Sequence, residues 1–142
     1  MIREINKGDL NDEYFSLLCQ LSGEMGEYDV DSLWDSYLEM KPGMTTFVAE
    51  DSGSIQGTAT LIVENKFLHR GGKVGHIEDV VVDNNIRTRG LGKTLVEWCV
   101  QLAKDAGCYK VILDCSEKNI PFYVKCGFSP DSYCMRMRLE CA

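Results

Sequence analysis

The sequence predicts an α/β (α+β) fold in which helices flank a mixed central β-sheet, and three features carry that prediction. Residues 45–50 and 57–64 are strand-like runs on either side of Asp-Ser-Gly-Ser, a hairpin signature. Residues 75–82 end in a continuous apolar run, the pattern of a strand buried on both faces. A strongly periodic helix from Leu91 and a second apolar run, YKVILDC at 109–115, follow it. Hairpins pair antiparallel and strand–helix–strand crossovers pair parallel, so a sheet holding both is mixed. The 142 residues suit one domain, 1–142, long enough to bury a core without disulfides.

Each element has a local reason. Residues 1–5 read as a short strand. Asn11 or Asp12 offers a cap to a helix with Phe15, Leu18 and Leu21 on its apolar face, stopping near Gly23. Asp29 or Asp31 offers the next cap, ahead of Leu33, Trp34, Tyr37 and Leu38, and Lys41-Pro42-Gly43 ends that helix. The 57–64 strand alternates, with Ala59, Leu61 and Val63 on one side, and HRGGKVG at 69–75 reads as a loop. In the helix from Leu91, Leu91, Leu95, Trp98 and Leu102 recur at helical spacing. Lys93, Glu97, Gln101 and Asp105 form the opposite stripe, and Gly107 is placed to cap the end. YKVILDC is expected as a second buried strand, 119–125 as a short helix closed by Gly127, and 133–139 as a last strand.

Composition excludes some classes. Hydrophobic residues at 44% and charged ones at 26% are ordinary for a globular protein. No 18-residue apolar run offers a membrane span, and the first fifteen residues hold no apolar signal core, so a cytoplasmic protein is expected. A net charge of −7 argues against a nucleic-acid partner. The cations are nevertheless clustered: Lys66, Arg70 and Lys73; Arg87, Arg89 and Lys93; Arg136 and Arg138. Seven cysteines, at 19, 99, 108, 115, 126, 134 and 141, show no CxxC spacing. They read as reduced, mostly buried thiols, with no metal site.

The turn between residues 82 and 91 bears the chemistry. A helix N-terminus leaves amide N–H groups without partners and carries partial positive charge, and glycines let a ligand reach the backbone. Arg87-Thr88-Arg89-Gly90-Leu91-Gly92 supplies such a turn, with Lys93 beside it. A GxGxxG dinucleotide fingerprint fails because Leu95 stands at the third glycine. A GxxxxGK[ST] loop is matched by Gly92-Lys93-Thr94 but has Arg87 where its first glycine belongs. The pattern [Arg/Gln]-x-x-Gly-x-Gly fits throughout. A plain β–α turn with surface basic residues is the bland alternative.

With a buried strand before it, an amphipathic helix after it, and Tyr123 ahead of Lys-Cys-Gly-Phe (125–128), this stretch resembles the GNAT acetyltransferases, where such a turn grips the pyrophosphate of acetyl-CoA. GHIEDVVV (75–82), GCYKVILDCSEKN (107–119), FYVKCGF (122–128), LLCQLSGEMG (17–26) and ATLIVENKFLH (59–69) resemble the glucosamine-6-phosphate N-acetyltransferase family, over residues 1–138.

The resemblance implies a GNAT fold and transfer of the acetyl group of acetyl-CoA to the amine of D-glucosamine 6-phosphate. The products would be N-acetyl-D-glucosamine 6-phosphate and CoA, on the way to UDP-N-acetylglucosamine. It implies that Asp114 meets the amine, as base or orienting group, and that Tyr123 faces the CoA sulfur as acid or thiolate stabiliser. The backbone of Val80, Val81 and Val82 would pair with the pantetheine. Arg87, Thr88, Arg89, Gly90, Leu91, Gly92 and Lys93 would hold the diphosphate, with Asn119, Tyr123 and Lys125 as further CoA contacts. Ser22, Lys66, His69, Glu78, Asp79, Lys110, Asp114 and Arg138 would hold the phosphosugar. No metal is implied. Relatives pair as homodimers whose C-terminal segments complete the partner's site, so Arg138 would act in trans. Rival readings are a GNAT enzyme for another small amine or a protein amine, a catalytically silent CoA-binding module, and an acyl-enzyme route through Cys115 or Cys126 with His69 or His76.

Overall fold

Side-chain caps decide where the first helices begin. In the computed structural model, which describes residues 1–23 and 26–140 and only the backbone at 87 and 88, the Asn11 side chain accepts from Tyr14 N–H (3.1 Å) and starts α1, Asp12–Ser22. Gly23 ends it at φ 86°. Asp29 accepts from Ser32 N–H (3.3 Å) and starts α2, Val30–Met40. The strands are β1 (Ile2–Glu4), β2 (Met44–Asp51), β3 (Ser54–Asn65), β4 (Lys73–Val82) and β5 (Cys108–Ile112), in spatial order β1-β2-β3-β4-β5. The first four pair antiparallel and β5 joins β4 parallel, which makes the expected mixed sheet. The crossover is α3, Leu91–Asp105, and a short α4, Ile120–Lys125, follows β5.

Helices cover both faces. Leu95, Val96, Cys99 and Ala103 of α3 are fully buried against Phe47, Ala59, Leu61 and Ile77. On the other face α1 and α2 bring Tyr14, Phe15, Leu17 and Tyr37 onto Ile5, Val48, Ile55 and Val81. Truncating a residue as enclosed as Leu95 to alanine would cost about 2–5 kcal/mol.

Two details of β4 shape the end of the sheet nearest the glycine turn. β4 pairs with β5 only from Lys73 to His76, because β5 stops at Ile112, while its pairing with β3 continues to Val82. β4 and β5 therefore part like an opened V. Opposite β3 the register slips, Thr60 pairing with Glu78 but Thr58 with Val81, which is a bulge. Asp79 sits in it at φ 53°, a left-handed conformation that aspartate tolerates better than most residues.

Several expectations need correction. The buried stripe of α3 is rotated from the one anticipated, leaving Trp98 38% exposed. Leu21 of α1 and Leu33 and Leu38 of α2 are exposed. Of the anticipated α2 face only Tyr37 is buried. Residues 109–115 are not a buried strand: β5 is a short edge, with Tyr109, Lys110 and Ile112 exposed. The final strand at 133–139 does not form. That segment is irregular, and Tyr133, Met135, Met137 and Leu139 are 93%, 89%, 82% and 78% exposed. An apolar residue at every second position is a strand pattern that needs a covering surface, and the chain's own sheet does not supply it. Part of the anticipated 69–75 loop is instead the start of β4. Among the described cysteines only Cys99 is buried, and Cys115 and Cys134 are exposed.

Candidate active site

The glycine turn is built as its sequence requires. After β4 a 3-10 turn spans Asn84–Arg89, with the Asp83 side chain accepting from Asn85 N–H (3.1 Å). The Gln20 side-chain oxygen accepts from Asn84 N–H (2.9 Å), tying the turn to the end of α1 and so bringing Ser22 to the same end of the sheet. Gly90 then takes the left-handed conformation (φ 74°, ψ 11°) and serves as N-cap of α3 without a capping side chain. The bond from Thr94 N–H to Gly90 O (3.1 Å) closes the first helical turn. Amides ahead of it have no acceptor within a helix, which is the donor set an anion takes. Arg89 and Lys93 stand exposed at the same end, Lys93 leaning toward Glu97 at 3.7 Å. The side chains of Arg87 and Thr88 lie outside the described residues.

The V between β4 and β5 opens beside this turn. Along residues 77–81 the edge of β4 facing β5 carries no strand partner among the described residues. Val81 and Val82 are buried and Val80 is half-buried, so the valines anchor the strand while its backbone edge lines the opening. Glu78 and the exposed Asp79 lie at its mouth. Asp114 is exposed, two residues past the end of β5. Continuing the His76–Ile112 register by two residues sets Asp114 level with Glu78. Burial, then the neighbouring charges of Asp114 and Asp79, raises the Glu78 carboxyl above its ordinary value.

Tyr123 of α4 borders the same space. Its ring packs edge-on to Phe122 (4.9 Å, 78°) and Phe128 (6.1 Å, 82°). Burial, with smaller contributions from Cys115, Cys126 and Asp114, pushes its phenol up to about 12. It therefore stays protonated at neutral pH, a hydrogen-bond donor in a mostly apolar pocket. Asn119 precedes α4 and Lys125 closes it, both exposed.

The remaining predicted residues are not gathered at this cleft. Lys66, the exposed His69 and Lys110 lie at the opposite end of the sheet, where β3 turns into β4 and β5 begins. Four residues of strand, about 13 Å, separate Lys110 from Asp114. Arg138 is exposed on the irregular C-terminal segment. Sequence reasoning missed the Asp79 bulge, the Gln20 tether and the packing of Phe122 against the glycine turn. Aspartate's tolerance of positive φ was the only local sign of the first, and the other two depend on tertiary contact. No group of three or more His, Cys, Asp and Glu placed to hold a metal occurs among the described residues.

A mixed five-stranded sheet that splays beyond a phosphate-type turn defines the class. The model of the acetyltransferase (GNAT) family matches residues 9–128. A glucosamine 6-phosphate N-acetyltransferase from Arabidopsis thaliana is 41% identical over 135 residues, 92% of this chain and 91% of the relative. One from Trypanosoma brucei brucei is 45% identical over 104 residues, 72% and 71% of the two chains. The crystal structure of the Arabidopsis thaliana glucosamine-6-phosphate N-acetyltransferase superposes with a TM-score of 0.92 at 38% identity, covering 99% of this chain and 98% of that one. The chain is a GNAT acetyltransferase, and it belongs to the glucosamine 6-phosphate N-acetyltransferase family.

Proposed function

We propose that the cleft at the parting of β4 and β5 carries out its family's reaction, acetyl transfer from acetyl-CoA to the amine of D-glucosamine 6-phosphate, feeding UDP-N-acetylglucosamine synthesis. One observation carries this reading. The Gly90–Gly92 turn, the open edge of β4, Asp114 and Tyr123 all face one end of the sheet. A diphosphate fits that turn, because Gly90 is already left-handed and the first-turn amides of α3 are the right donors. Arg87, Thr88, Arg89, Leu91 and Lys93 surround it, the backbone of Val80–Val82 takes the pantetheine, and Asn119 and Lys125 flank the entrance.

Acetyl-CoA supplies an acyl group activated as a thioester. The chain supplies orientation and proton control. Asp114 accepts a hydrogen bond from the substrate amine, with Glu78 as a second carboxylate at the same level and Asp79 and Ser22 toward the sugar. The substrate ammonium first gives a proton to these carboxylates; the free amine then attacks the thioester carbonyl, and as the N–C bond forms and the C–S bond breaks the nitrogen sheds its second proton, which the departing thiolate takes up through solvent. Tyr123 then holds the departing sulfur. A phenol near 12 gives up its proton to a thiolate only uphill, so it acts by donating a hydrogen bond to the growing negative charge.

The cations for the sugar phosphate support a homodimer. Lys66, His69 and Lys110 are remote from Asp114 within one chain, and the apolar 133–139 segment is uncovered. Two copies that exchange this segment would cover Tyr133, Met135, Met137 and Leu139 and carry Arg138 to the partner's cleft. The six described cysteines are all free thiols, which suits the cytoplasm.

A thiol-release assay with glucosamine 6-phosphate, glucosamine and spermidine tests the reading. Glucosamine 6-phosphate is expected to be the preferred acceptor, and Asp114→Ala to lower turnover about 10²-fold while acetyl-CoA still binds. Preference for spermidine would return the rival amine reading.

A further inference from the structure

The ladder between β3 and β4 ends beside the glycine turn, and α1 takes over there. Gly57 pairs with Val82, and Asp83 N–H donates to Gln56 O (2.9 Å). Continuing that register by one residue would set Ile55 opposite Asn84. Both give their N–H groups to side chains of α1: Ile55 N–H donates to Glu13 Oε1 (2.7 Å) and Asn84 N–H to Gln20 Oε1 (2.9 Å). Glu13 and Gln20 stand two helical turns apart, so they share one face of the helix. Between them the Tyr14 hydroxyl meets Thr58 Oγ1 (3.2 Å), and Leu17 is buried. α1 is thus pinned to the backbone at both ends.

The amides of the turn fall into two groups. Those of Asp83, Asn84, Asn85 and Ile86 are taken by Gln56 O, Gln20 Oε1, Asp83 Oδ1 and Asp83 O in that order. Those around Gly90–Gly92 come before the first bond of α3, Thr94 N–H to Gly90 O, and are the donors left for an anion. Gln20 is the one acceptor of the first group that a helix supplies. Its side chain is exposed, so packing does not account for its placement.

We propose that Gln20 is a positioning residue for the acetyl donor: its carbonyl holds Asn84 and so fixes the angle at which the turn presents the amides of Gly90–Gly92 to the diphosphate. Without the bond the leading end of the turn is loose, and the ligand must order it on binding, at a loss of affinity. A carboxamide makes the bond without adding negative charge near the diphosphate. This role rests on the assignment of the turn to the CoA diphosphate.

Gln20→Met tests it on the full chain, because it keeps the length and helix propensity of the side chain and removes the acceptor. Titration calorimetry is expected to show CoA binding about fivefold more weakly. Steady-state kinetics is expected to show KM for acetyl-CoA raised about fivefold, with kcat and KM for glucosamine 6-phosphate within about twofold of the parent. Gln20→Glu keeps an accepting oxygen and is expected to bind CoA as the parent does at about 0.5 M salt, where its added charge is screened. Amide hydrogen exchange at Asn84 is expected to be about tenfold faster in Gln20→Met and unchanged in Gln20→Glu. An equal rise in both KM values, or an equal defect in Gln20→Glu, overturns the proposal. Unchanged exchange or unchanged CoA affinity in Gln20→Met overturns it whether or not the parent acetylates the phosphosugar, so this failure is distinct from failure of the assigned activity.

Discussion

Gly92, in the first turn of α3, lies so close to Phe122 of α4 that a Cβ on it would stand 3.2 Å from Cζ of the ring. The contact joins the phosphate-type turn to the helix that carries Tyr123, so the proposed grip on the acetyl donor and the group proposed to face its sulfur are mechanically one unit. Gly92→Ala is therefore expected to push the two helices apart by a few tenths of an ångström and raise KM for acetyl-CoA about tenfold. KM for glucosamine 6-phosphate is expected to change far less. Adding Phe122→Ala gives the methyl room, and partial recovery of acetyl-CoA affinity in the double variant, read by titration calorimetry, would confirm the cause.

Tyr123 is expected to act without ionising. Its phenol is pushed up to about 12 by burial, so it carries its proton throughout the working range. Tyr123→Phe is expected to lower kcat about 10- to 100-fold, as loss of one well-placed donor does. The pH–rate profiles of parent and variant should share their shape up to about pH 10. An alkaline limb near neutrality that disappears in the variant would show an ionising tyrosine instead.

The acid limb of activity is expected to follow Glu78. Burial, then the charges of Asp114 and Asp79, favour its protonated form and raise its carboxyl above its ordinary value. The sign follows for stability too: a carboxyl raised in the fold stabilises below its unfolded value and loses that contribution as pH rises through its folded one. Glu78→Gln is thus expected to lower kcat/KM and abolish the acid limb while leaving Tm at neutral pH equal or higher. A drop in Tm would mean that the Glu78 carboxylate holds structure rather than substrate.

The uncovered C-terminal segment predicts an oligomer. Light scattering on the full chain is expected to give a dimer, and removal of residues 131–142 a monomer that still binds acetyl-CoA. Arg138→Ala is expected to leave the dimer intact and raise KM for glucosamine 6-phosphate far more than KM for acetyl-CoA. Equal effects on both would make Arg138 structural.

Where the sequence was legible, the determinants were local. Asn11 and Asp29, each one of two caps the sequence offers, and Gly23 mark helix ends in the fold, while Gly90, read only as part of the glycine turn, proves to be the N-cap of α3. The 93–105 stripe closes as its spacing demands, Gln101 donating to Asp105 at 2.9 Å. Misreadings arose where a neighbour decides. Alternation at 133–139 announces a strand but not which sheet receives it. An apolar run such as VIL reads as buried whether it ends inside a sheet or on its edge. Resemblance gathered Lys66, His69 and Lys110 with Asp114 into one site, but no local pattern reveals that they lie at opposite ends of two adjacent strands. The bulge at Asp79 is a slip between two strands and leaves almost no trace in either one.

A crystal structure with acetyl-CoA bound tests the central claim most directly. The diphosphate is expected within hydrogen-bond distance of the backbone amides around Gly90–Gly92, with the thioester sulfur facing the Tyr123 hydroxyl and the pantetheine along the open edge of β4. A diphosphate lodged anywhere else on the molecule, or a thioester directed away from Tyr123 and Asp114, would contradict the account.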